Sequence, residues 1–294
     1  MGDTQTEDCW LDGAPMLELP TDRQRAVHPP TPGEVVSVTA APALAAAVHD
    51  LAAERGVSPG AVLVGALAEV LSRYTGEHDV VLGLSVPAPV LPGLPVVADS
   101  AAVLAVRVDV SADPTVGELV DRASQAVAEA SAHQDVPLAT LVERVSPGGH
   151  RLVHPLFTVC LRVTDTPAAP QADRLCGAAG FAPLDLAVTA TLEPTALSLH
   201  ARYAAELFDR DRVERLLGHL QRVVQAMVAD PSARLGRVEL LGTAERDRLL
   251  SWGTGPRRAV PDTTLPGLVR AQAARTPDRV AVADGTVSLT YRQG

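Results

Sequence analysis

Residues 131–145 read Ser-Ala-His-Gln-Asp-Val-Pro-Leu-Ala-Thr-Leu-Val-Glu-Arg-Val. They follow a long amphipathic run and set His133, Gln134 and Asp135 just before Pro137 and a second helical pattern. Imidazole titrates near neutrality, so His133 oriented by Asp135 has the composition of a general base. Geometry argues the other way, because residues two apart on a helix end do not face each other. Proline fits the opening of a helix, Asp135 stands two positions before it as a capping candidate, and a histidine at a helix C-terminus complements the dipole. The stretch therefore reads as a boundary between two helices.

Outward from this boundary the chain alternates helical and extended periods. Leu44 to Arg55 has apolar residues at helical spacing, and Ser58-Pro59 forms an N-cap with proline at the first helical position. The helix it opens, Gly60 to Tyr74, is apolar nearly all round and should be buried on both sides. Val80 to Val86 is a continuous apolar strand, while Leu104 to Val110 alternates apolar and polar positions. Val116 to His133 is amphipathic; Phe157 to Val163, Leu184 to Leu192 and Ala196 to Tyr203 read as strands. Asp209 stands as the cap of a helix over Arg212 to Val228, and Asp209 with Asp211 reads as capping, not as a metal pair. Upstream, Asp12 to Gly33 carries Pro15, Pro20, Pro29, Pro30 and Pro32 and should run extended over a surface. The pattern is one of helices interspersed with strands.

With 47% hydrophobic residues and only 3% aromatic, Ala, Val and Leu must fill the core. All the basic residues are arginine, a bias of GC-rich bacterial coding sequences. A net charge of −10 without a basic stripe argues against nucleic acid as a partner. No apolar run approaches the roughly 18–20 residues of a membrane span, and the N-terminus is acidic, unlike a signal peptide. Cys9, Cys160 and Cys176 have no metal-like spacing and cannot all pair, which suits a reducing cytoplasm. After Trp252, Gly253-Thr-Gly-Pro-Arg-Arg-Ala-Val-Pro261 has the composition of a linker. It is followed by a helix (Leu265 to Arg275) and two short strands (Val280 to Ala283 and Val287 to Tyr291), too few residues to bury a core of their own.

Several ordered segments resemble one known family. Trp10-Leu-Asp-Gly-Ala-Pro15, Leu17-Glu-Leu-Pro-Thr-Asp-Arg23, Leu71-Ser-Arg-Tyr-Thr-Gly-Glu-His-Asp-Val-Val-Leu-Gly83, His133-Gln-Asp-Val-Pro-Leu138, His154-Pro-Leu-Phe-Thr-Val159, Tyr203-Ala-Ala-Glu-Leu-Phe-Asp209 and Leu240-Leu-Gly-Thr-Ala-Glu-Arg246 are similar to the middle and end of a nonribosomal peptide synthetase condensation domain. Ala274-Arg-Thr-Pro-Asp-Arg-Val-Ala-Val282 and Leu289-Thr-Tyr291 resemble the beginning of an adenylation domain. The resemblance implies an α/β, chloramphenicol-acetyltransferase-like fold of two lobes, of which residues 1–250 would be the C-terminal lobe, a mixed sheet with packed helices, with 1–33 as its lead-in. Residues 251–263 would be a linker and 264–294 a truncated start of an adenylation domain. It further implies amide bond formation between aminoacyl thioesters held by phosphopantetheine on peptidyl carrier proteins.

The family's catalytic His-His-x-x-x-Asp-Gly segment lies in the first lobe, and this sequence contains no His-His pair. The chain alone is therefore expected to have no catalytic residues, and to need a complementary lobe as partner. A non-catalytic remnant or docking fragment of a synthetase, and a stand-alone acyltransferase of the same fold, are the alternatives. The sequence departs from the family where Ala102-Val103 replace an Asn-Thr pair before Arg107, where Gly149-His-Arg-Leu-Val-His-Pro-Leu156 replaces Arg-Asp-x-Ser-Arg-x-Pro-Leu, and where Leu138-Ala139 replace Phe-Glu. His133, Gln134, Asp135, Pro137 and Arg107 are family-motif positions read as structural, Arg107 otherwise as a contact for a substrate or partner. Gly148-Gly149-His150 lacks the serine that would carry phosphopantetheine, and His150 with His154 lacks the glutamate and helix of a zinc site. No metal or cofactor is expected on this chain. A lobe without its complement should leave an apolar face open, and 60–71 and 101–110 are the segments rich enough in Ala, Val and Leu to form one.

Overall fold

The computed structural model describes residues 10–25, 33–87, 101–145, 154–166, 184–256 and 262–293. Gly148-Gly149-His150, Cys9 and Cys176 lie outside them. The chain divides into two compact units, up to Gly242 and from Thr243 to Gly294.

The first unit is built on a mixed six-stranded sheet. Its strands are β1 (Glu34–Thr39), β2 (Asp79–Pro87), β3 (Ala101–Asp109), β4 (Val159–Thr164), β5 (Leu186–Glu193) and β6 (Ala196–Tyr203), in spatial order β1-β6-β5-β4-β2-β3. β4 runs parallel to both its neighbours and the other pairs are antiparallel. β6 shows the period-2 logic of a strand with one buried face. Leu197, Leu199, Ala201 and Tyr203 are buried, while Ser198, His200 and Arg202 point the other way.

The helices are α1 (Pro42–Arg55), α2 (Pro59–Thr75), α3 (Val116–Ala132), α4 (Leu138–Val145) and α5 (Arg210–Ala229). Ser58 Oγ accepts from the Ala61 N–H at 3.2 Å, the cap expected from its sequence. At α3, Thr115 and Glu118 form a reciprocal capping box. Every residue from Ala61 to Ser72 of α2 is buried, because α2 meets α1, α3, α5 and strands β2 and β4. Among the described residues the open apolar face expected from 60–71 and 101–110 is therefore not seen: this chain covers α2 itself, and Leu104, Ala105, Val106 and Val108 of β3 are also buried.

Three other expectations change. The lead-in is more than a surface strap, since Leu17 and Leu19 are buried in the main core. Asp209 stands at the N-cap of α5, but its side chain makes no capping bond and instead takes the guanidinium of Arg23. The neighbouring Asp22 accepts the Asp209 N–H at 2.9 Å and pairs with Arg212 at 2.8 Å. β1 begins immediately after the proline-rich stretch and closes one edge of the sheet, a strand the composition of its surroundings hides.

In the second unit, helix α6 (Thr243–Gly253) runs into the residues read as linker, followed by α7 (Leu265–Arg275) and an antiparallel pair β7 (Val280–Asp284) and β8 (Val287–Thr290). None of its described residues is buried, and Leu250, Trp252, Leu265, Val282 and Val287 are all exposed.

Candidate functional site

β2 and β3 carry two cores, one on each face. Val80, Leu82 and Val106 face the main core, while Val81 and Ala105 join a second cluster with Leu11, Leu141, Val142, Leu156 and Phe157. The candidate residues of the sequence converge on this second cluster.

His133 is the residue at the C-terminal cap of α3, as expected, and its ring stacks on Trp10 with centroids 4.5 Å apart and planes 9° from parallel. The Trp10 indole N–H donates to the Ala105 carbonyl at 3.2 Å. Gln134 continues the turn, its N–H donating to Ser131 at 3.3 Å. The Pro137 carbonyl accepts the N–H groups of Thr140 (2.9 Å) and Leu141 (3.3 Å), so proline opens α4 as the sequence implies. Asp135 departs from expectation. It is exposed, and among the described residues its carboxylate caps no helix amide, because Pro137 already occupies the position from which a cap would act.

Arg107 is not a free edge charge. It forms a two-pronged ion pair with Asp79 (2.7 and 3.0 Å) and donates through Nη1 to the main-chain carbonyls of Trp10 (2.7 Å) and Asp12 (3.1 Å). The hydrogen bond to Asp79 holds its guanidinium above the ordinary arginine range, despite the opposing effect of burial. Arg107 thus helps to clamp the lead-in to the sheet. Arg107→Met should loosen it at a cost of about 2–3 kcal/mol, the order of a few charge-assisted bonds. Limited proteolysis near residues 10–14 and the emission of Trp10 in a Trp252→Phe background would register the release.

Trp10, Val103, His133, Val136, Leu138 and Leu141 line a cavity of about 230 Å³ that runs beside residues 102–105 of β3. Among the described residues, no carboxylate or nucleophile contacts the His133 ring. The site has the geometry to bind or to pack.

His154 is buried beside this cluster, stacked on Phe157 with centroids 4.3 Å apart, its Nδ1 at 3.4 Å from the N–H groups of Leu156 and Phe157. Burial depresses its pKa to about 4, so it is neutral at pH 7. Among the described residues, no three His, Cys, Asp or Glu side chains gather as metal ligands would, and no helix is long and apolar enough to cross a membrane. Sequence reasoning took Trp10 only as part of a motif. Its role depends on Ala105 and on His133, which nothing local to residue 10 announces.

Residues 8–250 match the condensation domain family. The chain is 32% identical to the phosphinothricin tripeptide synthetase PhsB of Streptomyces viridochromogenes, over 95% of this chain and 25% of that protein. It is 28% identical to a dimodular nonribosomal peptide synthase of Bacillus subtilis, over 94% of this chain and 12% of that protein. Across the most similar curated relatives it spans only 4% to 25% of their length. Among solved structures, it superimposes on the X-domain in its complex with OxyB from teicoplanin biosynthesis with a TM-score of 0.67 and 29% identity, covering 77% of this chain and 52% of that one. A four-domain nonribosomal peptide synthetase bound to AMP and glycine shares the fold at a TM-score of 0.69 over 94% of this chain and 23% of that one, with 16% identity. With its mixed sheet, its packed helices and a family match over most of its length, the chain belongs to the condensation domain family.

Proposed function

We propose that this chain supplies the C-terminal lobe of a nonribosomal peptide synthetase condensation domain and the opening of an adenylation domain. Amide bonds would form between carrier-bound aminoacyl thioesters only where a His-His lobe completes the domain. One observation carries this reading. The family match covers residues 8–250, yet those residues contain no His-His-x-x-x-Asp-Gly segment. The second cluster agrees with it, since His133 is engaged with Trp10 and Arg107 with Asp79 and the lead-in. Support for the adenylation start comes from the same comparisons: a match covering 95% of the chain necessarily runs past residue 250. The partners would be the complementary lobe and peptidyl carrier proteins bearing phosphopantetheine, the setting a bacterial cytoplasm, and neither metal nor cofactor would be held by this chain.

Condensation between two aminoacyl-carrier thioesters should run at the uncatalysed rate with this chain alone and rise when a first lobe from a relative is co-expressed. Turnover by the chain alone, lost in His133→Ala, would favour the stand-alone acyltransferase. A complementary lobe that binds without restoring turnover would favour a non-catalytic fragment.

A further inference from the structure

β3 is an edge strand, and its hydrogen-bonding pattern fixes which of its groups face outward. The Val110 N–H donates to the His78 carbonyl at 2.7 Å, and β2 and β3 keep one register throughout. In an antiparallel pair, hydrogen-bonded and non-hydrogen-bonded positions alternate. Val108, Val106, Leu104 and Ala102 therefore bond toward β2, while Arg107, Ala105 and Val103 turn their N–H and C=O groups to the open edge. The Trp10 indole on the Ala105 carbonyl (3.2 Å) and Arg122 on the Asp109 carbonyl (3.0 Å) confirm that direction.

At Val103 the outward groups have no hydrogen-bond partner among the described residues, and the cavity opens beside them. Four consecutive residues, Ala102 to Ala105, line it. Successive side chains of a strand lie on opposite faces, so what these four share is the strand's edge. Beyond that edge the walls are Val136, Leu138 and Leu141, with the Trp10–His133 stack at one side. The same edge already takes a segment of this chain: the lead-in reaches Ala105 through its indole and is held through the Trp10 and Asp12 carbonyls.

We propose that the β3 edge at Val103 and the adjoining cavity form a binding site for an extended peptide segment, which continues the line of contacts begun by the lead-in. One residue of the peptide exchanges two main-chain hydrogen bonds with Val103, and a neighbouring aliphatic side chain enters the cavity. Strand addition of this kind takes affinity from the main chain and selectivity from the pocket. Among the described residues the cavity's wall carries no carboxylate or guanidinium, so the favoured side chain is Val, Leu or Ile and not a charged one.

The test uses the full chain in a Trp252→Phe background with acetyl-Val-Leu-Val-amide as probe, alongside analogues N-methylated at each peptide nitrogen in turn. Saturable binding should appear as a shift of the Val103 amide resonance and of Trp10 emission, and at least one N-methyl analogue should bind about tenfold more weakly, the loss of one main-chain hydrogen bond. Val103→Pro removes only an outward N–H, a substitution that edge strands tolerate, so it should weaken binding similarly while leaving the melting curve nearly unchanged. Should Val103→Pro fail to fold, Leu138→Trp, which fills the cavity, reads the side-chain half of the site. No saturation up to about 1 mM, a threshold below which even weak specific contacts register, would overturn the proposal. So would equal binding of all the methylated analogues or of a hydrocarbon of similar size, because the strand edge would then play no part.

Discussion

Phe157→Ala should lower the stability of the first unit by about 3–5 kcal/mol, the range for removing a fully buried aromatic ring. The ring is 0% exposed and is the largest fully buried side chain of the molecule's described residues. It stacks on His154 and lies directly over Gly83 of β2, where a Cβ would stand only 2.6 Å from Phe157 Cε2. Glycine is therefore required at position 83 by the ring above it. Gly83→Ala in the wild type should cost about 1–3 kcal/mol through overpacking. In the Phe157→Ala background the same methyl enters the vacated space, so the two losses should fall short of additivity by at least about 1 kcal/mol. Urea titration of the four proteins closes the cycle. Strict additivity would mean that the ring does not press on Gly83.

Acid should remove a second, separable share of stability through His154. Its folded pKa of about 4 lies below the ordinary value of 6.5, so below pH 6.5 the unfolded chain takes up a proton that the folded protein refuses. Stability attributable to the neutral ring is thus complete above pH 6.5 and is lost as pH falls toward 4. The difference amounts to about 2–3 kcal/mol between pH 7 and pH 4.5. His154→Asn keeps an acceptor near the Leu156 and Phe157 amides and has nothing to titrate. Its stability should fall less steeply over that interval. Glu118 and Asp211, whose carboxylates are held below their usual range by hydrogen bonds, lose their contributions equally in both proteins and cancel in the comparison. Parallel stability–pH curves for the two proteins would rule the histidine out as the source.

Periodicity carried most of the architecture. Ala196 to Tyr203 emerges as a strand at both of its expected ends because alternation over eight residues leaves no helical reading. The all-round apolarity of α2 announced its burial. β1 escaped notice because Glu34-Val-Val-Ser-Val-Thr39 is mostly exposed and follows a proline-rich run, so that its pairing with β6 is what makes it a strand. Capping was legible where the bond is local, as at Ser58 and Thr115, and misleading at Asp209 and Asp135. At Asp209 a distant arginine outbids the local amide, and a carboxylate cannot show in sequence which of its suitors it will meet. The candidate site was partly visible as motif letters. Its geometry was not, because Arg107 and Trp10 touch across 97 residues and Trp10 reaches Ala105 across 95.

The sheet order has a consequence in time. Among the described residues β1 pairs only with β6, and β4 must enter between β2 and β5 as their parallel neighbour. During synthesis, the segment Glu34–Thr39 must therefore wait until residues as distant as Tyr203 have emerged before it gains a partner. Leu17 waits for Thr158, whose hydroxyl binds its carbonyl, and Asp22 waits for Leu207 and Asp209. Local assembly is confined to pieces such as the β2–β3 and β5–β6 pairs and the helices themselves. A topology so dominated by long-range closure folds slowly, since the entropy of joining remote segments is lost before their contacts compensate it. The nascent chain thus carries unpaired strands and an uncovered α2 until nearly the whole first unit has left the ribosome, and that interval is when it is most exposed to aggregation.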